Sequence, residues 1–75
     1  MKLEVRLFAY LRENRGKVVE VEVQPGETTV LDVLNSLNIP VEEASLILIK
    51  GKDAALEAVF KEGDYLALFP PVGGG

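Results

Sequence analysis

The residues of this chain best suited to chemistry are its last six, Pro70-Pro71-Val72-Gly73-Gly74-Gly75. Three successive glycines carry no Cβ, so a carboxylate at Gly75 could be threaded along a channel too narrow for any side chain. The two prolines cannot donate to a β-ladder and favour an extended backbone, which sets a stiff base under a bare tip. With glycine at about 7% of residues, a Gly-Gly ending arises by chance in roughly 0.5% of chains. Prolines placed directly before the glycines argue further against an inert end. A carboxylate is a poor electrophile until it is activated, and nothing else in the chain could activate it. There is no His and no Cys, which removes the usual nucleophile–base pairs, disulfides and zinc ligands. Gly73-Gly74-Gly75 cannot be a phosphate loop, because no helix follows it. The expected chemistry is that of a substrate, with Gly75 reacting, Gly74 as its slim neighbour and catalysis left to partner proteins.

Composition narrows the partners. The 75 residues suffice for one domain near the lower size limit for a core without staples, and 48% hydrophobic residues supply that core. Twelve acidic residues outnumber eight basic ones, giving a net charge of −4. No basic stripe is visible, so nucleic acid is not an expected partner, and an acidic chain would be drawn to a basic docking surface. Met1-Lys2-Leu3-Glu4-Val5-Arg6 shows no signal-peptide core, and the longest apolar run is about one strand long. No membrane association and a cytoplasmic location are expected.

The elements that must position the tail follow from periodicity. Residues 2–9 alternate, with Leu3, Val5 and Leu7 on one face and Lys2, Glu4 and Arg6 on the other, the period of a strand with one buried side. Phe8 interrupts the polar face with an aromatic ring. Residues 12–16 read as a turn, and residues 17–23 alternate again, which predicts a loose hairpin. After Gln24-Pro25-Gly26-Glu27, Thr29 has the type of a helix N-cap, with Asp32 three residues on. Val30, Val33, Leu34 and Leu37 keep the spacing of an amphipathic helix. Asn38 suits a left-handed C-terminal cap and Pro40 ends the helix. Leu46-Ile47-Leu48-Ile49 reads as an interior strand, Gly51-Lys52-Asp53 as a turn, and Tyr65 to Phe69 as the last strand. Residues 54–60 fit either a short strand or a helical turn.

The order β-β-α-β-(short)-β predicts an α+β domain with a mixed sheet of four to five strands and one helix across one face. This is the order of the β-grasp, or ubiquitin-like, fold, in which the first and last strands run parallel in mid-sheet. The expected division is a domain over residues 1–72 and a flexible glycine tail over 73–75. On the last strand Leu66 and Leu68 would face the helix, leaving Tyr65, Ala67 and Phe69 on the open face close to Phe8. Phe8, Phe69, Pro70, Pro71, Val72 and Gly73 are therefore the candidate partner-binding residues; the plainer alternative is that Phe8 and Phe69 merely pack on each other. Arg6 and Arg12 could pair with a partner's carboxylates or simply be solvated. Glu42 and Glu43 read as a solvated turn, and Lys50 and Lys52 as surface charge.

Two stretches carry a resemblance to a known family. Leu7-Phe8-Ala9-Tyr10-Leu11-Arg12-Glu13 and Leu68-Phe69-Pro70-Pro71-Val72-Gly73-Gly74-Gly75 resemble the opening strand and the Phe-Pro-Pro-Val-x-Gly-Gly ending of the ubiquitin-like sulfur carriers of the MoaD/ThiS family, most of all the small subunit of molybdopterin synthase. The likeness spans the chain and puts Gly73 at the variable position. It implies a β-grasp fold and a carrier that is not an enzyme by itself. An E1-like adenylating enzyme would activate the Gly75 carboxylate with ATP, the nucleotide being bound by that enzyme, so no cofactor or metal is expected here. Sulfide equivalents would convert the adenylate to a thiocarboxylate that donates sulfur in molybdenum or tungsten cofactor synthesis. The partners implied are that enzyme and the synthase large subunit, in a heterotetramer. Thiamin or tRNA thiolation, a lysine-linked protein modifier and a passive interaction domain remain open as alternatives. The segment after Arg12 is shorter than the family's pattern.

Overall fold

The computed structural model describes residues 1–71, so Val72, Gly73, Gly74 and Gly75, and with them the expected boundary between domain and tail, lie outside the described residues. Five strands form one sheet: β1 (Lys2–Leu7), β2 (Val18–Glu22), β3 (Leu46–Ile49), β4 (Lys52–Asp53) and β5 (Tyr65–Phe69). One α-helix, α1 (Val30–Ser36), follows β2. The strand order is β2-β1-β5-β3-β4, with β1 and β5 parallel and the other neighbours antiparallel. This is the β-grasp arrangement that the element order predicts.

The alternation of β1 becomes burial. Leu3, Val5 and Leu7 are fully buried, as are Leu66 and Leu68 on β5. They meet Val30, Val33 and Leu34 of α1 in one core. Thr29 caps α1 reciprocally: its Oγ1 accepts from the Asp32 N–H at 3.1 Å, and its own N–H donates to Asp32 Oδ2 at 3.0 Å. Asn38 takes the left-handed conformation (φ 58°) just past the helix end, as its type and the following Pro40 suggest. Seven residues are too few to be helical alone, and the buried face of α1 holds it on the sheet.

Three local readings need correction. The first strand ends at Leu7 rather than Ala9. Ala9 adopts φ 54° and turns the chain into a 3-10 segment, Ala9–Arg12, which carries Leu11 into the core. Lys52 and Asp53, read as part of a turn, are β4. The tight turn is Lys50-Gly51, with φ 52° and 83°, the positive pair of a two-residue hairpin that pairs Ile49 with Lys52. Residues 54–60 are neither helix nor regular strand. Backbone bonds from Gly26 to Phe60, Val30 to Ala58 and Leu31 to Leu56 hold them against the start of α1, and Phe60 is buried in the core.

At the other end of β1 the Met1 ammonium lies 2.6 Å from Glu22 Oε2. This hydrogen bond holds the exposed Glu22 carboxyl below its ordinary range. A carboxylate whose pKa is depressed on folding adds stability above its unfolded pKa and loses it as pH falls through the folded value. Carboxyl chemical shifts followed through an acid titration should show Glu22 titrating below the ordinary glutamate range, and acetylating Met1 should raise it. Urea unfolding should separate cap from core: Thr29→Ala should cost about 1 kcal/mol, and Leu34→Ala about 2–5 kcal/mol.

Candidate functional site: the open sheet face at the root of the tail

β5 delivers the chain to Pro70 and Pro71. The Phe69 carbonyl accepts from the Ser45 N–H at 2.9 Å, closing the ladder at its last residue, and the prolines beyond can donate to nothing. Because β1 and β5 are parallel neighbours in register Leu7↔Leu68, the residues that follow each pair meet. The Phe8 N–H donates to the Leu68 carbonyl at 3.2 Å. The rings of Phe8 and Phe69 stack with centroids 4.2 Å apart and planes 11° from parallel. Both are half-buried. The juxtaposition read from the sequence is therefore present: the rings pack on each other and also reach solvent.

The sheet face around them is more apolar than the candidate list anticipates. Register places Leu46 beside Phe69 and Leu48 beside Ala67. Leu46 is 40% exposed, whereas Ala67 is only 7% exposed between its neighbours. The two leucines were missed as site residues, although a run apolar on both faces, Leu46-Ile47-Leu48-Ile49, is the signal for them. Ile47 and Ile49 take the core side, which leaves Leu46 and Leu48 on the open one.

Two arginines border this face. Arg6 donates from Nε to Glu4 Oε2 at 2.6 Å, and its guanidinium carbon stands 4.0 Å from the Tyr65 ring centroid. The Glu4 contact, aided by Tyr65, raises the pKa of an already protonated guanidinium. Arg12 lies 5.3 Å from the Phe8 ring centroid and donates from Nε to the Leu7 carbonyl at 2.7 Å. Pro70 is half-buried and Pro71 exposed, while Val72 and Gly73-Gly74-Gly75 lie outside the described residues. Among the described residues no group of three His, Cys, Asp or Glu stands close enough to hold a metal ion, and no helix is long and apolar enough to cross a membrane.

The ThiS family model matches residues 5–75, from β1 through the three glycines. The chain belongs to the ThiS family. Small archaeal modifier protein 1 of Haloferax volcanii is 39% identical to this member over an 88-residue alignment, covering 97% of this chain and all of that protein. The crystal structure of that modifier covers 100% of both chains with a TM-score of 0.80 at 34% identity. The fold also matches a Pyrococcus furiosus protein described as subunit 1 of molybdopterin converting factor, with a TM-score of 0.76 at 23% identity over 96% of this chain and 99% of that one. It matches a Helicobacter pylori complex of subunits 1 and 2 of that factor, with a TM-score of 0.64 at 22% identity over 100% of both chains. These last two identities speak for the fold alone. The family of ubiquitin-like carriers and modifiers agrees with the resemblance carried by the two end motifs; the molybdopterin assignment within it is a narrower matter.

If Phe8 serves the surface and not the core, its loss should be mild. Phe8→Ala should lower stability by about 1–2 kcal/mol, against about 3–5 kcal/mol for Phe60→Ala in the core. Urea midpoints at an unchanged m-value give both numbers. Equal costs would show that Phe8 is a core residue.

Proposed function

We propose that this ThiS-family member is a sulfur carrier whose reacting atom is the carboxyl carbon of Gly75. The observation that carries this is the family match that extends through Gly75, attached to a fold that sets an apolar, arginine-bordered face at the root of the tail. An E1-like adenylating enzyme would dock on that face and receive the tail. A Gly75 carboxylate oxygen would attack the α-phosphorus of ATP on that enzyme, releasing pyrophosphate and leaving an acyl adenylate. Sulfide would then attack the carboxyl carbon and expel AMP, giving a thiocarboxylate. Its sulfur is nucleophilic at neutral pH, and after transfer to an acceptor, hydrolysis would restore the carboxylate.

For the acceptor, Leu68-Phe69-Pro70-Pro71-Val72 ahead of the glycines supports the pterin precursor of molybdopterin, with this chain as the synthase small subunit. The Helicobacter pylori protein of the same fold, seen in complex with a subunit 2, is consistent with such a pairing. A second reading has its own support, since the relative at 39% identity is named a modifier. There the same adenylate would be attacked by a lysine ε-amine of a target protein, expelling AMP and leaving an isopeptide bond. Both readings share the adenylation of Gly75, and they part at the nucleophile.

Incubation with the E1-like enzyme of the same organism, ATP and sulfide should add to the intact mass the difference between sulfur and oxygen. Deleting Gly75 should abolish that gain and leave the thermal midpoint unchanged. Lysine-linked conjugates without any sulfur gain would select the modifier reading. No adduct of either kind would contradict the proposal.

A further inference from the structure

The three arginines of the chain are not equivalent. Arg15 is spent inside the molecule: its guanidinium donates to the carbonyls of Leu11, Leu37 and Asn38 at 3.1–3.2 Å and ties the 3-10 segment to the end of α1. Arg6 is paired with Glu4 at 2.6 Å. Arg12 differs from both. Its Nε bond ends on a neutral backbone carbonyl, that of Leu7. Among the described residues, the ion pairs within 4.0 Å are Met1–Glu22 and Arg6–Glu4, so the Arg12 charge meets no carboxylate. It is exposed and stands beside Phe8, one ring from Phe69 and the start of the tail.

We propose that Arg12 is a specificity-determining anchor, pairing its free guanidinium edge with a carboxylate on the docking partner whose apolar surface covers Phe8, Phe69 and Leu46. The Nε bond holds the guanidinium, while the two terminal nitrogens bond to none of the described residues and are left to donate. A fork held in this way matches a carboxylate or phosphate in the two-bond geometry that a lysine cannot reproduce. The length of the tail selects between those two anions. Six residues follow Phe69 and can span up to roughly 20 Å when extended, so a nucleotide engaged by an extended tail would stand beyond the reach of Arg12. Its counterpart is a carboxylate on the partner's docking surface. The net charge of −4 would suggest a basic partner surface. The local pattern differs, because Glu4 is held by Arg6 and Glu22 by the Met1 ammonium, while Arg12 beside the aromatic pair meets no carboxylate among the described residues.

The inference rests on the reading that an E1-like enzyme docks here, and binding can be separated from chemistry. Isothermal titration of the chain into the E1-like adenylating enzyme of the same organism, without ATP, measures docking alone. Arg12→Glu should raise Kd by about tenfold or more, with Arg12→Lys in between. Lys61→Gln, an exposed charge ahead of β5 at the end of that strand opposite the tail, should change Kd by less than about twofold. Raising the salt should weaken the wild type more than Arg12→Gln. Amide spectra of Arg12→Lys and Arg12→Gln check that the 3-10 segment survives loss of the Nε bond to Leu7. Unchanged or tighter binding by Arg12→Glu, salt-independent wild-type binding, or no wild-type binding at all would each overturn the proposal. Failure of the parent reading looks different: the wild type binds through Arg12, yet ATP never yields pyrophosphate.

Discussion

The parallel pairing of β1 with β5 is the constraint on which the rest of this molecule depends. The two strands come from opposite ends of the sequence, and their register, Val5↔Leu66 and Leu7↔Leu68, decides both faces of the sheet together. On one side it brings Leu3, Val5, Leu7, Leu66 and Leu68 into a common core. On the other it brings Phe8 against Phe69 and Arg6 against Tyr65. A slip of one residue would exchange the faces of the displaced strand, exposing its core residues and dismantling the aromatic pair. The stability of so small a domain and the shape of its open face therefore share one geometric origin.

From that pairing follows a division of labour along β5. Its side chains alternate between core and face, and its far end releases the chain through Pro70 and Pro71 into the glycines. In the proposed function recognition would belong to side chains with area and charge, namely the stacked rings, the leucines of β3 and Arg12. Access would belong to residues with almost no side chain. The two demands conflict at any single position, since an anchor must be large and a threaded tip must be slim. The chain separates them by placing them in succession. A partner can then bind the face firmly while the end of the tail enters a site of its own.

Much of this was legible in the sequence, for identifiable reasons. β1 and β2 announce themselves by alternation, β5 by an apolar run that Pro70-Pro71 ends, and α1 by a capping Thr29–Asp32 pair and the Asn38–Pro40 stop. Those signals are local in the sequence, even though the ladder they build joins opposite ends of the chain. The 3-10 segment was not legible because it begins with Ala9 in a left-handed conformation, which an alanine side chain does nothing to advertise. β4 escaped because Lys50 occupies a turn position usually signalled by Asn or Asp. Residues 54–60 are ordered by bonds to the segment before and within α1, a long-range cause with no periodic trace. At the site, Phe8 and Phe69 could be paired once the fold was inferred. The different states of Arg6, Arg12 and Arg15 depend on which acceptor each reaches, and only coordinates show that. The chemistry of Gly73-Gly74-Gly75 remains a matter of residue type and order.

The central claim is that the terminal carboxyl group of Gly75 is the reacting atom set and that the rest of the domain presents it. The most direct measurement is ATP–pyrophosphate exchange with the E1-like enzyme, comparing the native chain with one that ends in a carboxamide at Gly75. The two share fold, face and tail, and differ only at the reacting group. Exchange with the carboxylate and none with the amide is the result expected. Equal exchange with both, or exchange with neither, would contradict the account.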